Sequence, residues 1–139
     1  MFIIKQFIKF CIIGITNTGL DFIFFNFLIL TTGIYKGEWL GLLNFISFTF
    51  ASINSYFLNK FWTFNQKETK SQKQNFFLQF FIISLIGCII NTFIVYFITT
   101  FIPPFFDISQ LLWINIAKCL AAIISLFWNF FSYKFFVFK

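Results

Sequence analysis

The sequence predicts an all-α integral membrane protein with four transmembrane helices arranged as two helical hairpins. Of its 139 residues, 60% are apolar and only 10% are charged, and the mean hydropathy is +0.89. A soluble domain of this length needs far more polar surface. A helix takes roughly 20 apolar residues to cross a hydrocarbon core about 30 Å thick. Four such helices with short loops use nearly the whole chain, so residues 1–139 are predicted to form a single domain.

Long apolar stretches give the approximate positions of the four spans. They cover residues 7–30, 39–59, 76–98 and 112–133. The segment 65–75, NQKETKSQKQN, is the clear break in composition, and it is predicted to be a cytoplasmic linker between the two hairpins. The first stretch follows lysines, as in a signal peptide, but it is too long and lacks a small-residue cleavage site. We therefore expect it to be retained as a span.

The positions of the lysines predict how the chain is oriented in the membrane. The net charge is +6, which in a soluble protein would suggest nucleic-acid binding, but here most lysines flank the spans at one end of the predicted bundle. These are Lys5, Lys9, Lys60, Lys67, Lys70, Lys73, Lys134 and Lys139. By the positive-inside rule both termini face the cytoplasm. We therefore expect a multi-pass protein of the cytoplasmic membrane, with lipid and not nucleic acid as its surroundings.

The cysteine and histidine content argues against metal or disulfide chemistry. Cys11, Cys88 and Cys119 all fall within predicted spans without a CxxC pair, and the chain has no histidine. A disulfide framework and a zinc site are therefore not expected, and no cofactor is predicted.

An internal repeat relates the two halves of the chain. Residues 7–21 match residues 77–91 at an offset of 70, which pairs Asp21 with Asn91. SYFLNKFWTF (55–64) matches NFFSYKFFVF (129–138) at an offset of 74. Because each half contains two spans, the halves enter the membrane in the same sense, which predicts a parallel repeat about an axis along the membrane normal.

Each span carries one stripe of small and polar residues at helical spacing. Gly, Ala, Ser and Cys in such stripes are most simply read as packing positions, because small residues let membrane helices approach closely. Charged residues at these positions instead suggest function. The intramembrane polar stripe is predicted to consist of Asn17, Asp21, Asn44, Ser55, Asn91, Lys118 and Ser125.

The depths of two charged residues predict an ion pair. At about 1.5 Å per residue, Asp21 lies roughly 21 Å from the cytoplasmic edge of its span, and Lys118 lies about 9 Å in from the outer edge of its own. In a core about 30 Å thick these are the same layer, and Asn44 and Asn91 fall there too. We expect Asp21 and Lys118 to pair, hydrogen-bonded by both asparagines, in a polar cavity of the outer leaflet.

A second polar layer is predicted near the cytoplasmic edge. Asn59, Lys60, Asn129 and Lys134 present amide and ammonium donors at head-group depth, which suits an anionic lipid phosphate. The simpler alternative is a plain positive-inside anchor. The same pattern closes both halves of the chain, which favours the binding role.

These residues resemble the GtrA-like family of small membrane proteins. The resemblance rests on GITNTGLDF (14–22) in the first span and on SYFLNKFWTF and NFFSYKFFVF, which close the two halves. It covers essentially the full chain. Ser55 stands where the family usually has Asn, and Lys60 and Lys134 stand where Arg is common. Lysine cannot bind phosphate in the bidentate manner of arginine, so these departures weaken the head-group role without excluding it.

The resemblance implies a role in polysaccharide biosynthesis at the cell surface. It implies translocation, or flipping, of a sugar linked to a polyprenyl phosphate such as undecaprenyl phosphate, for glycosylation of a polysaccharide or teichoic acid of the cell wall. The implied partners are this lipid-linked sugar, membrane lipid and a membrane glycosyltransferase. A second copy of the chain is expected on a separate ground, because four helices enclose little volume. Since the chain lacks glycine-rich nucleotide loops, histidine and paired carboxylates in one layer, no enzymatic step and no catalytic residue are expected.

Two other functions fit the four spans. A small multidrug-type cation exchanger also carries one acidic residue in its first helix, but that acid must titrate, and a lysine partner at equal depth keeps Asp21 ionised. The other alternative is a membrane partner subunit of a glycosyltransferase that transports nothing.

Overall fold

The computed structural model describes residues 2–63 and 70–132, and these form four helices. The helices are α1 (Phe2–Thr32), α2 (Gly37–Leu58), α3 (Lys70–Phe101) and α4 (Gln110–Ser132). A π-helical segment, Asn59–Thr63, continues α2. All four helices are long and apolar enough to cross a membrane, which confirms the predicted all-α membrane fold.

The helices extend beyond some of the predicted spans. Helix α3 begins at Lys70, six residues before the predicted start of the third span, so the second part of the predicted linker is helical. Hydropathy marks where a helix enters lipid and not where it begins, because a polar turn such as KSQKQN can be helical outside the hydrocarbon. The apolar stretch of this helix itself covers Phe77–Phe101.

The helices pack in chain order. Helix α1 packs mainly on α2, α2 on α3 and α3 on α4, whereas α1 and α4 make few contacts with each other. We call the end of the bundle that carries residues 9, 62, 75 and 132 the terminal end, and the end that carries loops 33–36 and 102–109 the hairpin end. Gly33 and Gly37 bound the first loop with φ values of 69° and 79°, which glycine adopts without strain.

An apolar core fills the hairpin half of the bundle. Its fully buried members come from all four helices and include Phe25, Leu40, Val95 and Ile114. A smaller cluster around Phe80 and Ile83 lies in the terminal half, on α3. The outward faces of the helices carry mainly Phe, Ile and Leu, as expected of a surface in contact with lipid.

The contacts between α1 and α4 include a reciprocal amide pair in the hairpin half. Asn26 Nδ2 donates to Asn115 Oδ1 at 2.7 Å, and Asn115 Nδ2 donates to Asn26 Oδ1 at 2.8 Å. Each amide also donates to a carbonyl oxygen one turn earlier in its own helix, that of Phe22 or Leu111. Hydrogen bonds between polar side chains are a common means of joining helices in lipid.

We expect a double-mutant cycle of Asn26→Leu and Asn115→Leu to give a coupling free energy of about 0.6–1.7 kcal/mol, the range found for interhelical hydrogen bonds in membranes. Each single variant removes both inter-helix bonds, so the double variant is expected to lose less than the sum of the singles. The free energy of unfolding in detergent micelles measures this. Strict additivity would show that the pair does not hold α1 to α4.

The two halves repeat in structure as the sequence predicts. Helices α1 and α3 have 31 and 32 residues, and α2 and α4 have 22 and 23. Residues 21–29 and 91–99 show the same order of buried, half-buried and exposed positions, at an offset of 70. Residues 40–51 and 114–125 agree closely at an offset of 74. The second offset makes Lys118 the counterpart of Asn44.

Candidate functional site

A buried ion pair joins α1 to α4 near the middle of the bundle. Lys118 Nζ lies 2.9 Å from Asp21 Oδ2, and the two side chains are 0% and 7% exposed. The ammonium also lies 4.3 Å from the centre of the Phe25 ring, a cation–π distance. The predicted pairing of Asp21 with Lys118 is thus confirmed as a contact.

Hydrogen bonds complete the surroundings of the pair. Ser47 Oγ donates to Asp21 Oδ1 at 2.6 Å, and Lys118 Nζ donates to Asn44 Oδ1 at 2.7 Å. Asn44 Nδ2 donates in turn to Asn91 Oδ1 at 2.9 Å. Of the two asparagines, only Asn44 contacts the ion pair directly. Asn91 contacts Asn44, and its Nδ2 donates to Ser125 Oγ at 3.3 Å. Ser47 takes the position beside Asp21 that was expected for the second asparagine.

The four residues Asp21, Asn44, Asn91 and Lys118 form a tetrad of equivalent positions in the two halves. At the offsets of the repeat, Asp21 corresponds to Asn91 and Asn44 corresponds to Lys118. The repeat therefore relates the Asp21–Lys118 ion pair to the Asn44–Asn91 amide pair. Both charges of the tetrad lie in one pair, so each has its opposite charge within contact distance, as a buried charge requires.

A cavity of about 340 Å³ extends from the tetrad toward the terminal end. Residues of all four helices line it, and the polar ones among them are mostly neutral. The polar lining residues are Asn17, Thr18, Asp21, Ser52, Ser55, Ser84, Asn91, Ser125 and Asn129. Above the tetrad, toward the hairpin end, the apolar core replaces this cavity. The bundle therefore contains a cavity with polar side chains in its wall in one half, and it is packed and apolar in the other.

The cavity opens sideways between α1 and α4, at a gap that we call the α1–α4 cleft. Ile15 of α1 is 73% exposed and Leu126 of α4 is 59% exposed, yet both also line the cavity. Gly14 lines it as well, and a Cβ added there meets no atom within 4 Å. Because α1 and α4 make few contacts, the cleft gives a path from the lipid-facing surface to the polar side chains in the cavity wall.

The structure describes three of the four predicted phosphate-binding residues. Asn59 is buried, and its Nδ2 donates to the carbonyl oxygen of Ser55 at 2.9 Å, while Lys60 is exposed and lies over the Tyr56 ring. Asn129 lies in the cavity wall. Lys134 is outside the described residues. Of these four, the structure therefore shows only Lys60 as an exposed cation at the terminal end.

A further lysine reaches the terminal end from α1. Lys9 Nζ donates to the carbonyl oxygen of Trp62 at 3.2 Å and lies 5.5 Å from the centre of the Trp62 ring. Trp62 belongs to the π-helical segment, and such segments are frequent at functional sites. The ends of α1 and α2 are thus held together beside the cavity.

The remaining predicted stripe residues meet in or beside the cavity. Asn17, Ser55, Asn91 and Ser125 line it together with Asp21, whereas Asn44 and Lys118 lie behind them in the tetrad. Ser47 belongs to the polar stripe of α2, but residue spacing alone does not identify it as the partner of Asp21. Asn26 and Asn115 could be recognised only as polar residues at equal depth on α1 and α4.

Within the ranges 2–63 and 70–132, no group of three or more His, Cys, Asp or Glu side chains is placed to hold a metal ion. The three cysteines are free, with Cys88 buried and Cys11 and Cys119 exposed.

Comparison with protein families identifies the architecture. A family model described as GtrA/DPMS, transmembrane domain, matches residues 9–138, nearly the whole chain. The chain belongs to the GtrA/DPMS family. Searches of curated proteins and of solved structures gave no match.

GtrA/DPMS membership confirms the resemblance seen in the sequence motifs. It makes the chain a multi-pass membrane protein associated with lipid-linked sugars in glycosylation-related processes. Members of the GtrA family are generally non-catalytic membrane proteins.

Proposed function

We propose that the chain moves a polyprenyl-phosphate-linked sugar across the cytoplasmic membrane, from the cytoplasmic to the outer leaflet. There a glycosyltransferase uses it to modify a cell-surface polysaccharide or teichoic acid. The observation that carries this proposal is the cavity, which sets polar side chains from all four helices into a largely apolar wall and opens to lipid through the α1–α4 cleft. A substrate with a polar head and a very long apolar tail needs both features.

The lysine distribution supports a cytoplasmic location of the terminal end. Lysines flank the spans at that end, whereas the hairpin-end loops contribute Lys36 alone. Positive residues favour the cytoplasmic side. The cavity extends toward this end, so in this orientation the described state accepts a head group from the cytoplasmic leaflet.

Positive charge at the terminal end suits the phosphate of the substrate. Lys60 is exposed, and Lys9 lies beside Trp62 at the same end. Lysines near the membrane surface attract anionic lipid by about 1 kcal/mol each. A phosphate held there leaves the sugar free to enter the cavity, while the tail lies in the α1–α4 cleft and remains in lipid.

The tetrad argues against the cation-exchanger alternative. An exchanger needs an acid that is free to bind cations, whereas both oxygens of Asp21 are occupied, by Lys118 and Ser47. The subunit alternative remains distinct, since it requires a glycosyltransferase partner and no movement of lipid.

We further propose that the chain assembles with a second copy, because four helices enclose little volume.

Reconstitution into liposomes tests the function. We expect purified protein to expose a polyprenyl-phosphate glucose, added to one leaflet, to a sugar-modifying reagent on the other side much faster than protein-free vesicles do. Vesicles with equal amounts of an unrelated four-span protein control for leakage. If movement equals that control, the flipping function is wrong. Copurification with a glycosyltransferase would then favour the subunit alternative.

A further inference from the structure

Two asparagines in the cavity wall have a buried side-chain oxygen without a hydrogen-bond partner. In the part of the chain that the structure describes, Asn17 Oδ1 and Asn129 Oδ1 are the two such atoms. Buried polar groups in proteins are nearly always paired with a protein group, a ligand or ordered water. Both exceptions line the same cavity. This coincidence points to a ligand that binds in the cavity.

The contrast with neighbouring asparagines strengthens this interpretation. Asn44 and Asn91 are bonded to each other, and Asn26 and Asn115 form a reciprocal pair. Protein donors thus fix the side-chain oxygens of these four asparagines, including Asn91 in the cavity wall, while no such partner fixes the oxygen of Asn17 or Asn129. An amide without a fixed partner can turn so that either its donor or its acceptor meets a ligand.

The two amides lie on the two helices that flank the α1–α4 cleft. Asn17 is one turn from Asp21 on α1, toward the terminal end. Asn129 lies on α4 and packs on Gly87 of α3, where an added Cβ would come within 3.1 Å of Asn129 Oδ1. Gly87 therefore leaves the room that the Asn129 side chain occupies. A group that enters through the α1–α4 cleft passes between the two amides.

The chemistry of the cavity wall suits hydroxyl groups better than phosphate. Among the described residues that line it, Asp21 is the only charged one, and Lys118 and Ser47 occupy its oxygens. The other polar lining groups are neutral amides and hydroxyls, which both donate and accept hydrogen bonds. A phosphate is negatively charged, and the charged residue in this wall, Asp21, is also negative. The hydroxyl groups of a sugar ring are neutral and can donate hydrogen bonds to these amides and hydroxyls or accept hydrogen bonds from them.

We propose that the side-chain amides of Asn17 and Asn129 bind the hydroxyl groups of the sugar, while the phosphate remains at the lysine-bearing terminal end. This proposal rests on the proposed function, and it assigns Asn129 to the sugar instead of the lipid phosphate. The cavity of about 340 Å³ has room for about eleven water molecules at ~30 Å³ each, which is enough for one sugar ring. The two asparagines then set the preference for sugar-bearing over bare lipid.

A native thiol allows lipid binding to be measured directly. Cys11 lines the cavity and is exposed, so a bound head group is expected to slow its reaction with a maleimide. With Cys88→Ala and Cys119→Ser in the background, Cys11 is the only reactive thiol. The probes are polyprenyl phosphate alone, polyprenyl-phosphate glucose and its deoxy analogues, each titrated into protein in nanodiscs.

We expect Asn17→Leu and Asn129→Leu each to raise about five- to tenfold the concentration of polyprenyl-phosphate glucose that half-protects Cys11 from the maleimide. This factor corresponds to the loss of one neutral hydrogen bond. Protection by bare polyprenyl phosphate is expected to change less than about twofold, because that lipid makes no sugar contact. A deoxy analogue that lacks the hydroxyl bound by one of these asparagines is expected to bind the parent protein weakly. Replacing that same asparagine is expected to weaken the binding of this analogue no further. Asn54→Leu, on α2 and not among the residues that line the cavity, is the matched control.

Three results would overturn the sugar site. If the Asn17 and Asn129 variants weaken the binding of both lipids equally, the amides bind the phosphate or serve folding. If protection of Cys11 is unchanged in the variants, the amides have no role in binding. A parent that binds and moves both lipids equally would keep the flipping function but remove the sugar site. If no lipid protects Cys11 and none crosses the liposome membrane, the proposed function itself fails.

Discussion

Replacing Lys118 with methionine is expected to lower the free energy of unfolding by about 3–5 kcal/mol, because it leaves a buried carboxylate without its counter-charge. Methionine keeps the length of the lysine side chain, so the loss reflects the charge and not a cavity. Asp21 would retain the Ser47 hydroxyl as its only partner from the ion-pair surroundings. Chemical unfolding in detergent micelles measures the change.

Two further variants separate charge pairing from general damage. The double variant Asp21→Asn with Lys118→Met removes both charges, and it is expected to recover most of the lost stability, since a neutral pair avoids the large desolvation penalty of a buried charge. Lys60→Met removes an exposed lysine and is expected to change stability by less than about 0.5 kcal/mol. A loss at Lys118 no greater than that at Lys60 would contradict the structural role of the pair.

The charge-swapped variant addresses function. Asp21→Lys with Lys118→Asp restores one charge of each sign in the same layer, so it is expected to recover part of the lipid movement lost in each single replacement. Recovery is expected to be incomplete, because Asn44 Oδ1 would then face a carboxylate instead of an ammonium. No recovery in the liposome assay would show that pairing is not what function requires.

The substitution Gly14→Leu is expected to slow lipid movement at least about tenfold, because a change of only about 1.4 kcal/mol gives that factor and a leucine would occupy part of the cavity. Gly14 lines the cavity, and no atom lies within 4 Å of the position of its Cβ, so the larger side chain meets open space and not a packed neighbour. Folding is therefore expected to survive.

Gly19→Leu is the matched control for this variant. Gly19 lies on the same helix and also has open space around its Cβ position, but it does not line the cavity. Both replacements raise helix propensity by less than about 1 kcal/mol. Equal rates for the two variants in liposomes would mean that the α1–α4 cleft is not the path of the lipid.

Much of the fold follows from hydrophobicity and spacing, whereas the partners of individual residues do not. Apolar length predicts four spans, and equal depth predicts the contact between Asp21 and Lys118. The stripe on α2 identifies Ser47 as facing inward, but which stripe it meets depends on how the helices are rotated. Such rotation is set by packing.

The cavity could not be predicted as a volume, for a related reason. A stripe of small residues predicts close helix packing equally well, and in the hairpin half the bundle is indeed packed. In the terminal half the same kind of residues line open space beside the α1–α4 cleft, where no atom lies near the Cβ position of Gly14. The unpartnered oxygens of Asn17 and Asn129 follow from that packing and from no local pattern.

The parallel relation of the two hairpins limits how the proposed transport can switch access from one side of the membrane to the other. In transporters with inverted repeats, exchanging the conformations of the two halves turns an inward-facing state into an outward-facing one. Here both halves cross the membrane in the same sense, so the same exchange leaves the accessible side unchanged. A conformation that releases a head group to the outside must therefore separate α1 from α4 at the tetrad and at the Asn26–Asn115 pair. The strength of these few polar contacts would then set the energy barrier of the cycle.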